Sequence, residues 1–104
     1  MPDPAKQLQA IYLAGFEIET FERFPNTVGV IKGHCIALVQ PTPLGLKLIG
    51  QPGWHMGEIL GLLVERGGKR VFQAKTEMLE ATPERLSELE NFSRELETLM
   101  SARA

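Results

Sequence analysis

Two short stretches of this chain hold residue types suited to nucleophilic or acid–base chemistry. The first is His34-Cys35. An imidazole that draws the proton from a thiol makes a Cys–His dyad. These two residues, however, are neighbours in an apolar run that reads as a strand, and neighbouring strand residues point to opposite faces. The expectation is that Cys35 is a small buried hydrophobe and His34 a satisfied or partly exposed polar group.

The second stretch is Trp54-His55-Met56-Gly57-Glu58, which follows the Gly/Pro-rich segment Gly50-Gln51-Pro52-Gly53. Side chains converge beside such segments, and histidine is the side chain most often used there as an acid or base. Trp54, His55, Glu58 and Phe72 form the candidate ligand-binding set. Trp54 and Phe72 would line an apolar pocket, and in an enzyme His55 would act as acid or base with Glu58 orienting it. No second base, nucleophile or oxyanion donor is marked by spacing, so no residue is assigned a catalytic role and the balance leans away from an enzyme. The plainer reading makes Trp54 a packing anchor at one end of the core, with His55 and Glu58 in solvent.

Other chemistries find no pattern. Two histidines, one cysteine and scattered carboxylates give no H-x-x-x-H, C-x-x-C or E-x-x-H arrangement, so no metal is expected. Neither Gly29-Val-Ile-Lys-Gly33 nor Gly50-Gln-Pro-Gly53 has the spacing of a phosphate loop at a strand-to-helix junction, so no cofactor is expected. Basic residues are scattered, with Arg66, Lys69 and Arg70 the only cluster, which argues against nucleic acid.

Charge is uneven along the chain. Residues 77 to 97 hold seven acids against Arg85 and Arg94, a local −5 within a formal total of −2, so the remainder carries +3. An acidic helix with Glu90 and Arg94 at i, i+4 is the usual solvated face. No apolar run approaches the roughly 18 residues that cross a bilayer, and Met1-Pro2-Asp3-Pro4 lacks the basic start of a secretory signal. A lone cysteine fits a reducing compartment. These features lead to the expectation of a cytoplasmic protein with no membrane segment.

The elements that must position these residues follow from periodicity. Asp3-Pro4 reads as an N-cap and first helical position, with Leu8, Ile11 and Tyr12 at helical spacing and Gly15 as the stop, giving a helix over about 4–14. Alternation from Phe16 to Phe24 predicts a half-exposed strand, and Pro25-Asn26 a turn. Thr27 to Val39, rich in β-branched residues and apolar on both faces, predicts one long central strand. Gln40-Pro41-Thr42-Pro43 must turn the chain before Leu44, Leu46 and Leu48 resume alternation, and Gly50–Gly53 ends that strand. Residues 54–60 are open between loop, a single helical turn and strand. Adjacent Gly67 and Gly68 supply the positive φ angles of a tight hairpin joining Ile59–Glu65 to Arg70–Lys75. Thr82-Pro83 starts a C-terminal helix whose apolar stripe runs from Leu86 to Met100.

The fold expected is therefore α+β, one domain over residues 1–104, with an antiparallel sheet of about five strands flanked by N- and C-terminal helices in the order α-β-β-β-(short α)-β-β-α. That order is similar to the order in small dimeric chaperones of secreted bacterial effectors, with no shared motif. Two helices cover roughly one face of a sheet that is apolar on both. The function expected is a non-enzymatic domain binding a protein partner or small apolar ligand, acting as a homodimer. The alternative is a small enzyme using His55 and Glu58 in an apolar pocket near Trp54.

Overall fold

The first helix begins where Asp3 and Pro4 dictate. Asp3 Oδ1 accepts the Ala5 amide at 2.9 Å, and proline takes a position whose amide would be unpaired in any case. The computed structural model describes residues 3–22, 24–56, 59–74 and 77–101. Helix α1 spans Pro4–Leu13, and Gly15 at φ 100° turns the chain out of it. Seven strands follow: β1 Glu17–Phe21, β2 Phe24–Lys32, β3 Cys35–Thr42, β4 Gly45–Met56, β5 Ile59–Arg66, β6 Lys69–Gln73 and β7 Met78–Glu80. Helix α2, Pro83–Ser101, follows the last strand, with the Thr82 hydroxyl accepting the Arg85 amide at 3.3 Å. No described helix is long and apolar enough to cross a membrane.

The strands form one antiparallel meander in sequence order. The α+β class and the two terminal helices agree with the sequence reading, while the count of about five strands is corrected to seven. The largest correction lies between Thr27 and Val39. Gly33 sits at φ 61° and, with His34, makes a two-residue turn, so the expected single strand is the hairpin β2–β3 with Lys32 opposite Cys35. The turn exchanges the faces of every residue after it. Val28 and Val30 now share a face with Ala37 and Val39, and Ile31 shares the other with Ile36.

Further departures have similar local causes. Pro25-Asn26 lies inside β2, at the sheet margin where a missing amide is tolerated. Strand β3 runs through Pro41 to Thr42, and Pro43-Leu44 is the turn. Strand β4 continues through Gly50–Gly53 by a bulge: Ile36 faces Gly53 and Leu38 faces Ile49, leaving extra residues on β4, with Gly50 at φ 67°. Trp54–Met56 is therefore strand, paired with Ile59–Gly61, and the short helix drops out of the order. The likeness in element order to secretion chaperones goes with it. The Gly67-Gly68 hairpin forms as read, with φ of 57° and 79°.

Both helices pack on the inner face of the sheet. There Val28, Val30, Ala37, Val39, Trp54 and Phe72 meet Ile11, Phe16, Phe92 and Leu96. Each fully buried aliphatic or aromatic side chain contributes on the order of 1.5–3 kcal/mol. Two polar clips align the helices. Gln7, buried, accepts the Leu46 amide at 2.7 Å and donates to the Met100 carbonyl at 2.8 Å. Lys32 Nζ donates to the Ala14 carbonyl at 3.1 Å and to Glu95 at 2.9 Å, and lies 5.0 Å over the Phe16 ring.

Candidate functional site

Strand alternation decides where the sequence-derived residues go. Cys35, Trp54 and Gly61 lie side by side across β3, β4 and β5, so all three share the inner face. A Cβ on Gly61 would meet the Met56 sulfur, so a larger residue beside Trp54 would force the Met56 side chain to move. Trp54, 6% exposed, stacks on Phe72 with ring centroids 5.1 Å apart, and on His34 at 5.3 Å with planes 6° from parallel. Phe72 is fully buried. The structure thus brings Trp54 and Phe72 together as a stacked pair within the core.

His55 follows Trp54 in β4 and so faces the opposite side of the sheet. Its amide donates to the His34 carbonyl at 2.6 Å. Its Nε2 is buried and makes no hydrogen bond with any described residue. An acid–base group on His55 would work on the outer face, away from Trp54 and Phe72. Glu58 lies outside the described residues.

His34 and Glu88 enter the site without having been singled out together in the sequence. From the turn, His34 donates its amide to Glu88 Oε2 at 2.9 Å, and its Nδ1 lies 3.1 Å from the same oxygen. The imidazole thereby lies over the edge of the core and ties the β2–β3 turn to α2. The readable signal was Gly33 between two apolar runs, which marks a turn and frees His34 from strand geometry.

Cys35 is fully buried beside this pair. Desolvation, with a smaller contribution from the Glu88 carboxylate, pushes its thiol up to about 12. The sulfur stays protonated at neutral pH and is a poor nucleophile, so the arrangement holds no thiolate–imidazolium pair. Among the described residues no group of three or more His, Cys, Asp or Glu stands together to hold a metal ion.

A second feature lies between β4 and the C-terminal half of α2. Leu48, Pro52, Leu96 and Met100 line a mainly apolar cleft of about 430 Å³, with Ser93 and Glu97 among its polar lining. Its size falls in the range of small-molecule sites. The sequence hid it because it depends on β4 running past Gly50–Gly53 beneath α2.

Comparison with protein families, with curated sequences and with solved structures finds no match.

Proposed function

We propose that this chain is a non-enzymatic binding domain that acts as a homodimer and offers apolar surface to a protein partner or a small apolar ligand. The observation that carries the reading is the one-sided placement of the helices. Both helices pack on the inner face, while strand alternation puts Leu38, Ile49, Leu62, Val64, Val71 and Met78 on the outer face. Leu62 is 47% and Met78 64% exposed. Leu62 and Met78 flank Gln73 on neighbouring strands of that face, while Ile31 and Ile36 farther along it are buried. Exposed apolar side chains gathered on a helix-free part of a sheet mark an interaction site, and two-fold pairing is the commonest assembly of such chains.

The cleft between β4 and α2 supports the same reading, since it offers a second apolar surface of ligand size. The test uses 8-anilinonaphthalene-1-sulfonate as an apolar probe, with light scattering at micromolar concentration for mass. Saturable probe binding that weakens in Leu62→Glu and Met78→Glu is expected. The absence of probe binding to the folded wild-type chain would sink the binding-domain reading, and a mass of 11.6 kDa would sink the homodimer.

A further inference from the structure

Strand β4 is longer than its neighbour allows it to pair. β5 joins it only at Ile59, Leu60 and Gly61, and from Leu62 onward β5 turns to β6. The bend occurs where Gly53 and Gly61 let the strands close up, since a Cβ on Gly53 would collide with the Gly61 carbonyl. The far edge of β4 from Gly45 to Gly53 therefore has no strand beside it among the described residues.

Ladder geometry says which groups that edge presents. The β3–β4 hairpin closes at Thr42 and Gly45, so the amides and carbonyls of Leu46 and Leu48 project away from β3. Leu46 confirms the phase, because its amide reaches out to the Gln7 side chain. Leu48 has no such clip among the described residues, and Lys47, Leu48, Gly50 and Gln51 are all exposed. Pro52, which has no amide hydrogen, bounds the free stretch at the other end. Natural edges are usually guarded by charge, yet Gly45–Gly50 carries only Lys47.

We infer that this edge is the homodimer contact: β4 pairs antiparallel with β4 of a second copy about a two-fold axis at Leu48. This rests on the homodimer reading above and places its contact on the β4 edge, which leaves the exposed outer-face side chains Leu62 and Met78 to a partner or ligand. In that register Leu48 and the partner's Leu48 exchange two backbone hydrogen bonds. Lys47 falls opposite the partner's Ile49, so the two lysines never face each other. Leu44, 73% exposed in the β3–β4 turn, falls toward the partner's Pro52. On the inner face Leu48 of each copy meets the open side of the other's cleft beneath Leu96 and Met100. One operation satisfies the Leu48 amide and carbonyl, with the Leu46 amide keeping its Gln7 partner, and covers apolar side chains that the single chain leaves in water, and this self-complementarity favours a second copy over a foreign strand.

The experiment combines light scattering at micromolar concentration with amide hydrogen exchange of the wild-type chain over a dilution series. A mass of about 23 kDa, twice that of one chain, is expected. Exchange at the Leu48 amide should slow as concentration rises. Leu48→Asp should raise the dissociation constant by about tenfold or more, while Leu62→Glu on the outer face leaves it unchanged. A dimer that Leu62→Glu dissociates, with Leu48 exchange independent of concentration, overturns the edge contact and keeps the homodimer. A monomer at every concentration overturns both, and leaves the edge to a strand from another protein. The exchange measurement needs no variant, so a misfolded Leu48→Asp does not blunt the test.

Discussion

The imidazole of His34 lies flat on the indole of Trp54, with centroids 5.3 Å apart and planes 6° from parallel. One residue comes from a turn and the other from near the end of β4, and Glu88 of α2 holds the imidazole in place. The stack joins the β2–β3 hairpin, β4 and α2 at one end of the core. Replacing His34 with alanine removes the stack and the imidazole's contact with Glu88, while the backbone amide keeps its hydrogen bond to that carboxylate. A stability loss of about 1 kcal/mol is expected, limited by solvent exposure of the pair. Emission from Trp54, the only tryptophan, should shift to longer wavelength. An unchanged spectrum in the folded variant would contradict the stacking.

The Cys35 thiol predicts a pH dependence. Its folded value of about 12 stands above the ordinary thiol value of 9.0, chiefly through burial. Between those values the folded chain binds more protons than the unfolded chain, so stability falls as pH rises through that interval and is unaffected by this group below it. Urea midpoints across the alkaline range should fall more steeply in wild type than in Cys35→Ala. At pH 8 the folded protein should react slowly with dithionitrobenzoate, and quickly once unfolded.

Two glycines of β4 should respond to alanine for different reasons. At Gly53 the new Cβ meets the Gly61 carbonyl and the Leu60 side chain, so the backbone must move. A loss of about 2 kcal/mol or more is expected. At Gly50 nothing lies within 4 Å, but φ is 67°. Only the left-handed conformation costs there, about 1 kcal/mol. Denaturation of the two variants side by side checks the order.

Gln7 predicts a loss without any change in apolar packing. It serves a backbone amide and a backbone carbonyl from different elements, at Leu46 and Met100. Gln7→Leu keeps the bulk and leaves both groups without this partner, for an expected loss of about 2 kcal/mol. Faster exchange at the Leu46 amide should accompany it, and Gln7→Glu, which retains the acceptor alone, should protect that amide while failing to restore the Met100 contact.

Local chemistry alone determined a good part of this protein. Asp3-Pro4 and Thr82-Pro83 set both helix starts, the stripe from Leu86 to Met100 set the face α2 buries, and Gly67-Gly68 set a hairpin. Each of these depends on residues within one element or one turn of the chain. The strand boundaries required more. Gly33-His34 splits a continuous apolar run, and the exchange of faces that follows depends on pairing Lys32 with Cys35. Gly50–Gly53 reads as a stop, but a bulge carries β4 past it because β3 is there to continue the ladder.

The candidate residues divide along the same line. Trp54 and Phe72 were legible as an apolar pair lining a pocket, with Trp54 alone also read as a packing anchor, and the structure stacks the two within the core. That His55 faces the other way followed only once residues 54–56 were known to be strand, because a helical turn or loop would have left it free to join Trp54. His34 beside Glu88, the cleft under α2 and the bare edge of β4 join residues far apart in the chain. Periodicity records which face a residue prefers, whereas which distant surfaces meet is decided by how the whole sheet curls around its glycines.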